Sequence, residues 1–408
     1  MTSTRSINTV HLGVRAAEIY LLRKQHNGPF FRSFSLHRTT RFWLLLRSTA
    51  CIPAGVCFSK DRKTVLDVAL SRYGYFYRAD SLAPDKNNMR AQAQAQANIA
   101  LIKYWGKRDI ERNLPATGSL SVTLDSLWTK MSVEFSDALS GDELVVNSLG
   151  NEEMLPRISA CLDLVAGTDR LCASINSEAN FPIAAGLASS ASAFAALVVA
   201  ASKAAGQSSD TLSLARIAGA SSGSAARSLY GGFVELQAGD TDIGVETIAE
   251  ADDWPLTVVV AVTEEGAKPV SSGEAMNRSA ASSPFYSSWL EQQPADLAMA
   301  REAVLQRDFV KLAAVSEHNC LKMHSVMWGS RPPLVYWNSV TLSCMEAVRR
   351  LQDEGHAVFF TIDAGPQLKA ICLPDEAGLV RSTLDACAGV VRTMVSGLGA
   401  GARLLDST

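Results

Sequence analysis

PIAAGLASSA, residues 182–191, runs directly into SAFAALVVAASKAAG, residues 192–206. A proline, small residues, a glycine and a serine pair open what reads as an Ala-rich helix closing at Gly206. Such an opening leaves backbone N–H groups unpaired at a helix N-terminus, where the dipole is positive and a phosphate can sit. No Gly-Lys-Ser/Thr follows, so the loop is not a Walker A. Alone, it fits equally a Ser-capped buried helix with a glycine turn. Three other segments tilt the reading toward phosphate chemistry.

Upstream, NIALIKYWGKRD (98–109) gathers Asn98, Lys103, Tyr104, Trp105 and Lys107 within ten residues. Lysines here would offset triphosphate charge and the ring pair could wall a cleft; the plainer reading is core aromatics beside a solvated Lys pair. Downstream, SSGSAARSLYGG (221–232) carries the hydroxyls of Ser222 and Ser224, with Arg227 three positions on. Arginine grips a carboxylate bidentately, as lysine does not. A Gly/Ser helix start with an exposed Arg is the alternative. Further on, FFTIDAGP (359–366) ends an apolar strand in Asp363. Burial there is expected to raise its pKa toward that of a useful base, whereas a simple Asx turn would need no chemistry.

Composition sets the frame. With 408 residues, 47% hydrophobic and 19% charged, the chain is long enough for two domains with full cores. No apolar run approaches the ~20 residues of a spanning helix, so no membrane role is expected. Eight scattered cysteines without a CxxC pair and six histidines without ligand spacing suggest reduced core thiols, a cytoplasmic protein and no protein-built metal centre. Residues 1–88 hold 14 basic against 5 acidic residues, leaving 24 against 36 after them. Glu18 is the sole acid among the first 60, amid seven arginines. The stretch reads as a non-catalytic, disordered extension. A start taken too early, with Met89 as the natural beginning, is preferred to a mitochondrial-type transit peptide, and a basic nucleic-acid arm ranks below both; no nucleic-acid partner is expected.

From residue 90 the pattern is mixed α and β. Strands are expected in 119–135, 143–147, 171–175, 233–236, 256–263, 357–362 and 368–373, and helices over 154–166, 210–229, 295–317 and 339–354. The AQAQAQA run at 91–97 is left unassigned. Trp254-Pro255 is taken as a domain boundary, giving 89–255 and 256–408, and the Gly-rich tail SGLGAGARLL as a backbone turn near the sheet.

In this order the four segments resemble the diphosphomevalonate decarboxylases of the GHMP kinase superfamily, over nearly all of 90–373, including NLPATGSLSVTL (113–124), NFPIAAGLASSA (180–191) and MHSVMWGSRPP (323–333). The compact C-terminal part is closer to bacterial members. The resemblance implies a two-domain α+β fold of mixed sheets packed against helices, with ATP and substrate in the cleft between the domains. It implies ATP-dependent decarboxylation of (R)-5-diphosphomevalonate to isopentenyl diphosphate, ADP, phosphate and CO2. The alternative is a related enzyme acting on mevalonate or its mono- or bisphosphate, a kinase or phosphomevalonate decarboxylase.

Carried onto matching positions, Asp363 would take or orient the proton of the substrate's 3-hydroxyl, and Lys103 would neutralise charge beside it. Arg227, with Asn98, would hold the C1 carboxylate. Ser222 and Ser224 would bind phosphates, and Tyr104 and Lys107 would contact the substrate diphosphate. Pro182, Ala185, Gly186, Leu187, Ala188, Ser189 and Ser190 would cradle ATP, with Mg²⁺ arriving on the nucleotide and Ser190 a possible ligand. A homodimer is implied as well. Departures from the family pattern are Ser192-Ala193 for Ala-Gly, Ser221 for Gly, Ala226 for Cys, Gln367 for Asn and Gly329 for Asp. Of these, Ser221 and Gly329 are expected close to substrate.

Overall fold

The computed structural model describes residues 68–70, 75–77, 89–182, 189–266 and 270–406. It falls into two units, Met1–Ala83 and Pro84–Thr408. In the first, β1 (Val68–Leu70) and β2 (Tyr75–Tyr77) pair antiparallel.

In the second unit the chain runs β3 (Arg90–Ile102), β4 (Lys107–Asp109), β5 (Leu114–Pro115), β6 (Ser119–Ser136), β7 (Glu143–Val146), β8 (Leu149–Gly150), α1 (Leu155–Ala166), β9 (Cys172–Ala179), α2 (Ser189–Ala204) and α3 (Thr211–Ser221). A 3₁₀ turn (Ala225–Leu229), β10 (Phe233–Ala238), β11 (Ile243–Ala249) and β12 (Thr257–Val262) follow. Then come α4 (Ser272–Ser282), α5 (Tyr286–Gln306), α6 (Phe309–Trp328), α7 (Ser339–Asp353), β13 (Val358–Ile362), β14 (Leu368–Cys372), α8 (Ala377–Asp385), β15 (Arg392–Ser396) and β16 (Arg403–Leu405).

The organising strand of the larger, eight-stranded sheet is β6. Its 18 residues are long enough to pair β3 along most of their length, β10 at one end and β9 at the other. The unassigned Ala/Gln run is β3. Its period-2 alternation buries Ala91, Ala93 and Ala95, against the Ala-rich face of α2, where small side chains on both surfaces allow close approach. Ladder register slips between Gln96 and Asn98. Beyond that bulge Ala97, Ile99 and Leu101 join a different core, with Val258 and Val260 of β12, while Asn98 turns to Ser224 and Ser228. One extra residue thus inverts which parity faces the 3₁₀ turn. The smaller sheet is antiparallel, in the order β13-β14-β12-β15.

Two expected helices divide. The 210–229 segment breaks where Ser222 becomes extended, and the chain resumes as a 3₁₀ turn. Gly223 lies at the break because a Cβ there would sit 2.5 Å from the Tyr104 ring. The 295–317 segment is two helices: Arg307 turns left-handed (φ 55) to end α5, and the Asp308 side chain caps α6 by accepting from Lys311 N–H. The tail does turn into the sheet, with Gly399 N–H donating to Thr123 O and Gly232 N–H donating to Gly399 O. A Cβ on Gly401 would lie 2.3 Å from Leu229 O. β16 then pairs with β3.

Candidate active site

The end of β3, the 3₁₀ turn and the ends of β13 and β14 converge on Asp363. Its Oδ1 accepts from Lys103 Nζ at 2.6 Å, and Lys369 Nζ lies 3.1 Å from Oδ2. Both lysines are essentially without exposed surface, whereas the Asp363 side chain keeps 24% of its own. The carboxylate therefore looks outward from between two sunken cations. Burial pushes the Asp363 carboxyl up, but the charges and hydrogen bonds of Lys103 and Lys369 overcome it and hold the group below the usual carboxylate range. This corrects the expectation of a raised pKa: an unpaired buried acid would rise, a doubly paired one falls. Lys369 was missed from the sequence, although a single cation inside the apolar strand LKAIC is the signal that could have found it.

Beside it, Arg227 is buried in the 3₁₀ turn. Its guanidinium donates to Ser121 Oγ (3.0 Å), Ser119 Oγ (2.5 Å) and Asn98 Oδ1 (3.2 Å), while Asn98 Nδ2 donates to Ser228 Oγ (2.8 Å) and to Ser224 O (3.0 Å). All these partners are neutral, and no carboxylate among the described residues pairs with Arg227. Burial lowers its pKa to about 10, against opposing help from Asp363 and Tyr104, so it stays charged at neutral pH. A buried, charge-uncompensated fork of this kind is a receptor for an anion.

Tyr104 packs against Gly223, and its buried hydroxyl has no hydrogen-bond partner among the described residues; burial, the leading cause, pushes its pKa to about 12. Trp105 is core, among Met276, Trp289 and Met327. Lys107 lies near the start of α4, 3.8 Å from where a Cβ of Gly273 would be. Partial burial and then the nearby Arg157 lower the Lys107 pKa. Neither cation pairs with a carboxylate among the described residues. Arg157, on α1, is a second residue the sequence reading missed; it donates to Ser221 O at 3.1 Å and stacks over Phe194.

Of the expected ATP cradle, Ala185, Gly186, Leu187 and Ala188 lie outside the described residues. Pro182 ends the segment before them, and Ser189 and Ser190 open α2. Ser222 Oγ donates to Ser190 Oγ at 3.2 Å, so serines 32 positions apart share one polar corner. Ser224 precedes the 3₁₀ turn. The departures are absorbed structurally. Ser192 bonds Thr129, and Gln367 accepts from Thr263 N–H and donates to Glu264 O. Ser221 turns its hydroxyl to Cys161 of α1, and Gly329 sits under Phe285 at the end of α6. The Ser221 carbonyl also accepts from Arg157, so this residue stays beside the cations around Lys107, while a Cβ on Gly329 would meet Phe285 and Ser283.

The chain is similar in sequence and fold to known proteins. Residues 95–249 match the profile of the diphosphomevalonate decarboxylase-like N-terminal domain, and 258–394 that of the mevalonate 5-diphosphate decarboxylase C-terminal domain. The diphosphomevalonate decarboxylase of Candida albicans is 36% identical over 311 residues, 70% of this chain and 84% of that one. Mevalonate diphosphate decarboxylase from Staphylococcus aureus superposes with a TM-score of 0.73 at 35% identity, covering 78% of this chain and 98% of that one. A complex of MDDEF with MVAPP, AMPPCP and magnesium gives 0.73 at 34%, covering 78% and 99%. The architecture is that of an α+β GHMP-kinase-fold enzyme. Within that class, the chain belongs to the diphosphomevalonate decarboxylase family.

Proposed function

We propose that the chain catalyses the ATP-dependent decarboxylation of (R)-5-diphosphomevalonate to isopentenyl diphosphate, ADP, phosphate and CO2. The observation that carries this is a carboxylate between two buried lysines beside a buried arginine whose hydrogen-bond partners among the described residues are all neutral. The family relatives named above support it.

A tertiary alcohol leaves only once phosphorylated. The 3-hydroxyl attacks the γ-phosphorus of ATP while Asp363 accepts its hydrogen bond. Because Asp363 is already ionised and held low, it chiefly aligns the hydroxyl, and the proton passes late. That suits a loose phosphoryl transfer, in which positioning and charge neutralisation dominate. Lys103 and Lys369 keep the carboxylate charged and offset the incoming phosphates. Arg227, with Asn98, holds the C1 carboxylate. When the 3-phosphate departs with its bonding pair, the C1–C2 electrons become the new double bond at C3 and C1 leaves as CO2. Arg227 would orient that carboxylate without binding it so tightly that its loss is opposed.

Tyr104, Lys107 and Arg157 would receive the substrate diphosphate, and Ser189, Ser190, Ser222 and Ser224 the phosphates of ATP. Among the described residues no group of three His, Cys, Asp or Glu could hold a metal, so Mg²⁺ is expected to arrive on the nucleotide, with the Ser190 hydroxyl as a hard oxygen donor. When bound, Mg²⁺ would spread the charge of the phosphate chain. In the same reading residues 89–255 form the nucleotide domain, 256–408 the second, and the enzyme works as a cytoplasmic homodimer. Among the described residues no helix is long and apolar enough to cross a membrane.

The test supplies ATP, Mg²⁺ and carboxyl-labelled (R)-5-diphosphomevalonate and follows ADP and CO2 together. Equal release supports the reading. ADP without CO2 would make the protein a kinase and remove the role given to Arg227.

A further inference from the structure

Lys103 and Asp363 stand 260 positions apart at the ends of strands in different sheets, and no ladder joins β3 to β13. Besides their own bond, a direct link between the two strands is Thr361 Oγ1 to Ala100 O at 3.4 Å, too long to hold a distance. What both segments touch is α6.

Lys103 is the first residue past β3, where its main-chain groups lose ladder partners. Asn319, fully buried on α6, accepts the Lys103 N–H on Oδ1 at 2.8 Å. Gln293, buried on α5, donates from Nε2 to the Lys103 carbonyl at 2.7 Å. Asn319 Nδ2 donates to Gln293 Oε1 (2.5 Å) and Asp296 Oδ2 (2.6 Å), and Asp296 pairs with Lys322 Nζ. A main-chain N–H only donates and a carbonyl only accepts, so both amide orientations are dictated and the network is satisfied throughout.

One position along, Cys320 Sγ accepts from Ile362 N–H at 3.2 Å and its thiol lies 3.4 Å from Ile362 O; His324 Nε2 is 3.2 Å from that same carbonyl. Ile362 immediately precedes Asp363. Neighbouring residues of a helix point about 100° apart, which lets positions 319 and 320 face two different segments at once.

We propose that α6 is the positioning element of the site: Asn319, with Gln293, holds the main chain of Lys103, and Cys320 holds the peptide ahead of Asp363, so that one helix sets the Lys103–Asp363 separation. The inference rests on the role given to that pair above. The groups facing Asp363 are Lys103 beyond β3, Lys369 on β14, Arg227 in the 3₁₀ turn, and Cys320 and His324 on α6. Loss of the Asn319 or Gln293 contact loosens the Lys103 end, and loss of the Cys320 contact loosens the Asp363 end, so either changes their separation.

The test compares the full chain with Asn319→Ala, Gln293→Met, Cys320→Ala and Cys320→Ser, each checked for folding by thermal melting. Folded Asn319→Ala, Gln293→Met and Cys320→Ala are expected to lose at least about tenfold in kcat, since displacements near 1 Å are that costly, with KM for both substrates within about threefold of the parent. The acid limb of kcat should move to higher pH, and Cys320→Ser, which keeps a donor and acceptor, should restore most of the loss. Carboxyl ¹³C NMR reads the same change without turnover. The Asp363 signal, identified by its loss in Asp363→Asn, should stay flat from pH 8 to 5 in the parent and titrate in the variants. Should Asn319→Ala not fold, Gln293→Met and the two Cys320 variants decide, each breaking fewer bonds. Folded variants with parental kcat and a flat carboxyl signal would overturn the proposal. A parent that releases no CO2 would overturn the assigned reaction instead, while the NMR comparison still judges the positioning.

Discussion

Lys369 Nζ lies 3.1 Å from Asp363 Oδ2, reaching it from the strand next to β13 with no solvent-exposed surface of its own. With Lys103 on the other oxygen, it makes Asp363 an acid that stays ionised where an ordinary aspartate would begin to protonate. A depressed folded pKa contributes stability that is present above the unfolded value and disappears as pH falls through the folded one. Asp363 should therefore supply no acid limb to kcat in the usual carboxylate range. Lys369→Met should bring such a limb up toward neutrality and lower kcat at pH 7 by about tenfold or more, consistent with the worth of a charge placed beside transferring phosphate. A kcat–pH profile checks both, and an unchanged acid side would show that Lys369 is a packing residue.

Asp363→Asn keeps the shape of the side chain and removes its charge. Turnover should fall by about 10²–10⁴, the range for a positioned proton acceptor, with ATP and substrate binding close to parental by calorimetry. A loss of less than about threefold would take Asp363 out of the reaction.

Arg227→Gln should act mainly on the substrate that carries the carboxylate. Charge-assisted bidentate contacts are worth roughly 1.5–3 kcal/mol, which predicts a KM for diphosphomevalonate raised about ten- to a hundredfold and a KM for ATP little altered. Arg227→Lys should recover little, because an ammonium cannot reproduce the fork now spread over Ser119, Ser121 and Asn98. Equal effects on both substrates would argue that Arg227 supports the fold instead.

Gly223→Ala places a methyl 2.5 Å from the Tyr104 ring. The ring must yield, so KM for the diphosphate substrate should rise several-fold with little change in melting temperature. Adding Tyr104→Leu, which frees the space, should cancel the penalty specific to the alanine. Purely additive effects in that double mutant would contradict the contact.

Lys107→Met and Arg157→Met should each weaken inhibition by inorganic diphosphate and flatten its dependence on salt, as expected when a partly exposed cation leaves an anion site. Competition assays at two ionic strengths measure this. Undiminished inhibition in both variants would locate the diphosphate elsewhere.

Some of this was legible in the chain itself. The motifs at 98–109, 221–232 and 359–366 name Asn98, Lys103, Arg227 and Asp363, and strands such as 257–262 follow from apolar β-branched runs. The Ala/Gln stretch of β3 stays unassigned at that level, because alanine is a weak strand former and what makes the segment a strand is the long ladder to β6. The breaks at Ser222 and Arg307 were not legible, because each depends on a partner distant in sequence or on a local left-handed residue that carries no glycine to mark it.

By itself, then, the sequence determined the residue types, the order of the motifs and the family to which they belong, since these are properties of covalent order and short-range periodicity. Only the tertiary structure decided that Lys369 meets Asp363, that Arg157 lies near Lys107, and that Asp363 is a low-pKa carboxylate rather than a raised one. The reason is electrostatic. Burial alone pushes an acid up, two buried ammonium groups at 2.6 and 3.1 Å pull it down, and the sign depends on distances set by packing between residues up to 260 positions apart.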